Sequence, residues 1–253
     1  MTLADAKYQY LLRMGDNALI LGHRLSEWCG HGPILEQDIA MTNIALDQVG
    51  QARSLLQYAA QLEGKGRTED DLAYKRDVME YRNVLLVEQP NEDFAYTIVR
   101  QFLFDAFNFL LHKSLVHSND EHLKAIAEKS LKEITYHLRY SSEWMIRLGD
   151  GTAESHQKIQ TALDDLFIYT GELLTPDAVD QAISEAGIGP DFTALQAPYQ
   201  AKIDDILQQA TLQKPEVKYM QSGGKDGRMH TEYLGYILAE LQFVQRAYPN
   251  MEW

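Results

Sequence analysis

The stretch Ile98-Val-Arg-Gln-Phe-Leu-Phe-Asp105-Ala-Phe-Asn-Phe109 sets a carboxylate in the middle of an apolar helical stripe. Ile98, Phe102, Asp105 and Phe109 recur at three- and four-residue spacing, which puts the acid on the face that should enter a core. Three other segments repeat the pattern. Asp16 shares a stripe with Leu12, Leu19 and Ile20, Asp47 lies with Ile44, and Glu133 lies with Ile126.

The helices around these acids are bounded by turn residues. Apolar periodicity runs from Leu3 to Trp28 and breaks at Gly30-His31-Gly32-Pro33. A second helix is expected from about Ile34 to Glu63, stopped by Gly64-Lys65-Gly66. Residues 67–90 are less regular, with short helical pieces such as Asp71 to Tyr81. A third helix spans about Asn91 to His117, and a fourth about Glu121 to Leu148, joined at Ser118-Asn119-Asp120 with Asn119 or Asp120 as cap. Short turns make antiparallel neighbours, and one long crossover between the second and third helices is the connectivity of a ferritin-like bundle. The fold expected is all-α: a ferritin-like four-helix bundle over residues 1–150, elaborated by further helices over 151–253, in one domain. Those further helices are Ala153 to Leu174, Asp177 to Ala186, Phe192 to Leu212 and Thr231 to Ala247.

The turns also predict the height of each acid. Asp16 and Asp47 are equidistant from the first turn, as are Asp105 and Glu133 from the second. At ~1.5 Å per residue, Asp47 lies ~24 Å from one end of the bundle and Asp105 ~21 Å from the other, so all four are expected to meet near its middle. Unpaired, each would cost several kcal/mol, so metal ions, protons or neighbouring cations must neutralise them. A di-iron site of this fold takes a Glu from each of two helices and Glu-x-x-His from the other two. Here the histidine positions hold Gly50 and Tyr136, and His137 is turned about 100° from Tyr136. Three of the acids are Asp, whose arm is short for bridging two irons. The expectation is therefore no metal at these positions and salt bridges instead, with Lys129, Arg24, Arg53 or Arg139.

The 253 residues carry a formal net charge of -14, unsuited to nucleic acid or an anionic membrane and better matched to a basic partner. Cys29 is the only cysteine, so no internal disulfide or Cys-rich metal site is expected. No apolar run has the length of a signal peptide or membrane span, and cytoplasm is the expected compartment. The histidines His23, His31, His112, His117, His122 and His156 form no ligand pair and read as surface or capping residues. Thr231 reads as an N-cap, with His230 and Glu232 beside it as a candidate contact for a partner or ligand. The excess of aromatic residues on the third helix, Phe104 and Phe107 included, calls for a second buried surface against C-terminal helices or a partner.

Six segments carry a family resemblance: Leu12-Leu-Arg-Met-Gly-Asp-Asn17, Arg24-Leu-Ser-Glu-Trp-Cys-Gly-His31, Asn43-Ile-Ala-Leu-Asp-Gln-Val-Gly-Gln-Ala-Arg53, Leu86-Val-Glu-Gln-Pro-Asn91, Tyr136-His-Leu-Arg139 and His230-Thr-Glu-Tyr-Leu-Gly235. Together they resemble the C-subunit family of the bacterial phenylacetyl-CoA epoxidase, a phenylacetyl-CoA 1,2-monooxygenase. The resemblance implies a ferritin-like fold and a non-catalytic structural role in aerobic phenylacetate degradation. It implies that a partner A subunit holds the di-iron centre, that a reductase supplies electrons from NADPH through flavin and an iron–sulfur cluster, and that other epoxidase subunits assemble with it. No catalytic, cofactor-binding or metal-binding residue is implied in this chain, and a homodimer is expected when it is isolated. The alternative is an independent di-iron carboxylate oxidase or oxygenase using Asp16, Asp47, Asp105, Glu133 and His137; iron storage is a third, disfavoured by the long C-terminal part.

Overall fold

The computed structural model describes residues 1–249 and Met251, and every regular element among them is helical. Helix α1 spans Leu3–Ser26 and starts at a capping box in which Thr2 and Asp5 satisfy each other's backbone N–H. Helix α2, Leu35–Glu63, ends at Gly64, whose φ of 67° is the left-handed stop that glycine makes without strain. The two pack as an antiparallel hairpin with the most extensive contact in the molecule. Gly15 and Gly22 make this closeness achievable: a Cβ on Gly15 would lie 2.8 Å from the Leu56 side chain, and one on Gly22 3.3 Å from the Ala45 carbonyl.

The crossover contains α3 (Glu69–Tyr74), a 3-10 turn (Val78–Glu80) and α4 (Leu85–Glu88). Helices α5 (Phe94–Leu115) and α6 (Glu121–Gly149) form the second hairpin, and α2 meets α6 to close the bundle. Asp120 caps α6, accepting the N–H groups of His122 and Leu123. The four long helices and single crossover follow the sequence expectation. Val84 to Val87 belongs to the crossover.

The C-terminal part is more broken than its periodicity predicts. It comprises α7 (Ala153–Leu166), a 3-10 turn (Phe167–Thr170), α8 (Gly171–Leu174), α9 (Ala178–Glu185), α10 (Phe192–Gln209), α11 (Glu232–Leu241) and α12 (Phe243–Ala247). Of these, α7 and α10 cover the second face of α5. Phe104 and Phe107 are buried, Phe107 packs on Phe192, and the Tyr199 hydroxyl donates to the Leu103 carbonyl at 3.1 Å. The second surface that the aromatic excess demands is thus supplied by this chain. One connected hydrophobic core runs from Ala6 to Leu238.

Candidate functional site in the polar centre of the bundle

Asp16 and Asp105 are fully buried, as their stripes predict, but the four acids do not form one cluster. Asp16 is held by Arg76 from the crossover. Nη1 of the guanidinium donates to Oδ2 at 2.9 Å, Nη2 donates to Oδ1, and the Arg82 backbone N–H adds a third bond at 2.8 Å. Arg76 is itself buried, donates to the Leu72 and Glu80 carbonyls, and lies over the Tyr81 ring. Its charge balances that of Asp16 where water cannot.

Of the other three acids, Asp47 contacts His137 directly, while Asp105 and Glu133 feel its ring only at longer range. Asp105 accepts from Gln101 Nε2 at 2.7 Å and from Ser141 Oγ at 2.8 Å. Burial pushes its carboxyl up to about 7, partly offset by His137, Ser141 and Gln101. The His137 ring is buried and its Nε2 lies 2.9 Å from Asp47 Oδ2. Asp47 faces outward, with 34% of its side chain exposed. Glu133 is half-buried one turn before His137. Burial and then the Asp47 charge raise its carboxyl, against Lys129 and His137, which lower it.

Several expectations need correction. His137 faces into the bundle while Tyr136, 39% exposed, faces out, because the i and i+4 positions share a helix face with Glu133. The cation of Asp16 is Arg76; of the four expected partners, three go elsewhere, and Lys129 lies beside Glu133 without an ion pair within 4 Å among the described residues. Arg24 donates to the Glu88 carbonyl and pairs with Glu27; Arg53 pairs with Glu69; Arg139 lies over Tyr136. Asp47 and Glu133 stand at the rim because height along a helix does not fix direction around it. His112 is buried, its ring pushed down to about 4 by burial. His156 does cap, with Nδ1 2.7 Å from the Gly149 carbonyl at the end of α6.

The donors at these positions do not make a di-iron set. Asp16 is occupied by a guanidinium. Gly50 offers no ligand atom, and Tyr136 points away from the acids. Among the described residues, no three of His, Cys, Asp or Glu are gathered to hold a metal ion. What the arrangement does is keep a buried carboxyl at Asp105 between Gln101 and Ser141, and hold the His137 ring against Asp47.

A second buried polar group ties the C-terminal part to the crossover. Glu88 accepts from His230 Nδ1 at 2.6 Å, from the Thr231 N–H at 2.7 Å and hydroxyl at 2.6 Å, and from Asn83 Nδ2 at 2.8 Å. Glu172 accepts backbone N–H groups of Leu85, Gly223, Gly224 and Lys225. The His230 side chain is therefore interior and not open to a ligand, and Thr231 gives its hydroxyl to Glu88 in place of capping α11. Glu88 had a sequence signal, an acid following Leu85-Leu-Val; Arg76 had none, lying in a segment without periodicity.

The profile of the phenylacetic acid catabolic protein family matches residues 2–253. The chain is 49% identical over 244 residues to the C subunit of the 1,2-phenylacetyl-CoA epoxidase of Escherichia coli (strain K12), an alignment covering 96% of this chain and 98% of that one.

Proposed function

The chain belongs to the phenylacetic acid catabolic protein family, and from that premise we propose that it is a non-catalytic structural subunit of a multicomponent phenylacetyl-CoA 1,2-epoxidase. In this reading it supports a di-iron catalytic A subunit in aerobic phenylacetate degradation. Electrons reach that partner from an NADPH-dependent reductase. The chain itself contributes interface and no redox chemistry.

The observation that carries this reading is the Arg76–Asp16 pair. A fixed protein cation neutralises a core carboxylate at the level where the fold can hold metal. Near-complete coverage of a protein named as an epoxidase subunit supplies the substrate class. The test is reconstitution: the A subunit, reductase and NADPH, with and without this chain, assayed for oxygen-dependent consumption of phenylacetyl-CoA, together with metal analysis of the chain alone. Turnover that depends on adding the chain, with no stoichiometric iron in it, is the expected result. About two irons per chain, as in a di-iron site, and turnover by this chain without the A subunit would establish the independent oxidase instead.

A further inference from the structure

Helix α2 carries a second, exposed apolar side besides its buried one. Met41, Ile44, Ala52, Leu55 and Leu56 are buried against the bundle. Leu35, Ile39 and Leu46 line a second side, with Leu35 72% and Leu46 64% exposed, and Val49 stands at its edge beside Gly22 of α1. Their four-, seven- and three-residue steps keep them within one face, a stripe ~21 Å long at ~1.5 Å per residue. That is the footprint of a helix laid along α2.

Gly50 lies beside this stripe. It sits in the interior of an exposed helix, where glycine weakens the helix relative to alanine. Nothing in this chain requires it: a Cβ there would have no heavy atom within 4 Å. Close approach of another backbone is a use for glycine that the isolated chain does not explain.

The third observation is charge. Gly50 shares a groove of about 400 Å³ between α2 and α6 with Leu46, Asp47, Gln51, Lys129 and Glu133. Among the described residues Glu133 has no ion-pair partner within 4 Å, and Asp47 has only the imidazole of His137. Lys129 and the imidazole of His122, which stacks on Tyr58 at the far end of the groove, are the basic side chains of the lining. A second copy of a chain carrying -14 would bring acid against acid, whereas a basic side chain from a different protein would complement both carboxylates.

We infer that the groove between α2 and α6 seats a helix from a different chain, packed against Gly50 and the Leu35–Val49 stripe, with an Arg or Lys directed at Asp47 and Glu133. This rests on the functional reading above, which makes that chain the catalytic A subunit.

The experiment uses the full chain and a purified epoxidase A subunit. Affinity is read by biolayer interferometry, oligomeric state by light scattering and folding by thermal melts. Gly50→Gln should melt at or above the wild-type temperature, since it removes a helix-interior glycine into open space, yet bind the A subunit ~10-fold or more weakly. Leu46→Glu should weaken binding likewise, and Glu133→Gln should lessen the salt dependence of the affinity. Tyr236→Gln, on the exposed side of α11, is the control and should bind as the wild type does. If the α2 and α6 variants bind as tightly as the wild type, the surface is wrong while the function stands. If the wild-type chain does not bind the A subunit, the functional reading falls and the inference with it. A wild-type dimer that Gly50→Gln converts to monomer, with A-subunit affinity unchanged, would assign the groove to a second copy and overturn the inference.

Discussion

Arg76 grips Asp16 across a sequence separation of 60 residues, and both side chains are sealed from water. Removing one member of such a pair leaves a buried charge without its counter-ion. Arg76→Met should cost about 3–5 kcal/mol in urea unfolding, and Asp16→Leu a similar amount. The double variant should lose less than the two single losses combined, because it removes both charges together. It will not be neutral, since the Arg82 N–H also loses its acceptor.

Asp105 should make the protein less stable as pH rises. Its folded carboxyl titrates near 7 because of burial, whereas the unfolded one titrates near 3.8. Between these values the native state holds a proton that the unfolded state has lost, so stability falls across the window and the penalty is complete above pH 7. Asp105→Asn removes the penalty. Gln101 can turn its amide to suit, as its Oε1 has no hydrogen-bond partner in the fold. The variant should match the wild type near pH 4 and exceed it by up to about 4 kcal/mol at pH 8, checked by urea melts at each pH.

His112, seven residues further along α5, acts in the opposite direction. Burial holds its ring down to about 4, while its Nδ1 makes a 3.0 Å bond to the Asn108 carbonyl. The unfolded chain takes up a proton below about pH 6.5. Stability should therefore fall as pH drops from about 6.5 to 4. His112→Leu should flatten that acid limb by about 3 kcal/mol, read as the change in stability between pH 7 and pH 4.

Glu172 gathers the backbone of residues 223–225 against the start of α4. Glu172→Ala leaves four N–H groups without their acceptor. Hydrogen exchange should rise sharply over 221–229 while α1, α2, α5 and α6 keep their protection. Equal loss of protection in the bundle would show that this loop is not a separate cooperative unit.

The four long helices and their connectivity could be read from the chain because each carries a long apolar stripe and ends at a turn or cap, as with Gly64 and Asp120. The burial of Asp16 and Asp105 was legible for the same reason. The directions of Asp47 and Glu133 were not. Each sits at a stripe's edge, where a small rotation of the helix decides between core and groove, and counting from turns measures height alone. Arg76, Gln101 and Ser141 escaped notice because the first lies in an aperiodic crossover and the others read as ordinary polar residues until Asp105 is seen between them. The C-terminal breaks at Phe167 and Gln242 were equally hidden, since the apolar spacing continues through them.

The guanidinium at Asp16 differs from a metal ion in being part of the polypeptide. It is synthesised with the chain, cannot dissociate, and is neither oxidised nor removed by a chelator. The buried charge of Asp16 is thus balanced as soon as the crossover docks. The charge balance of Asp16 is thereby written into the chain itself.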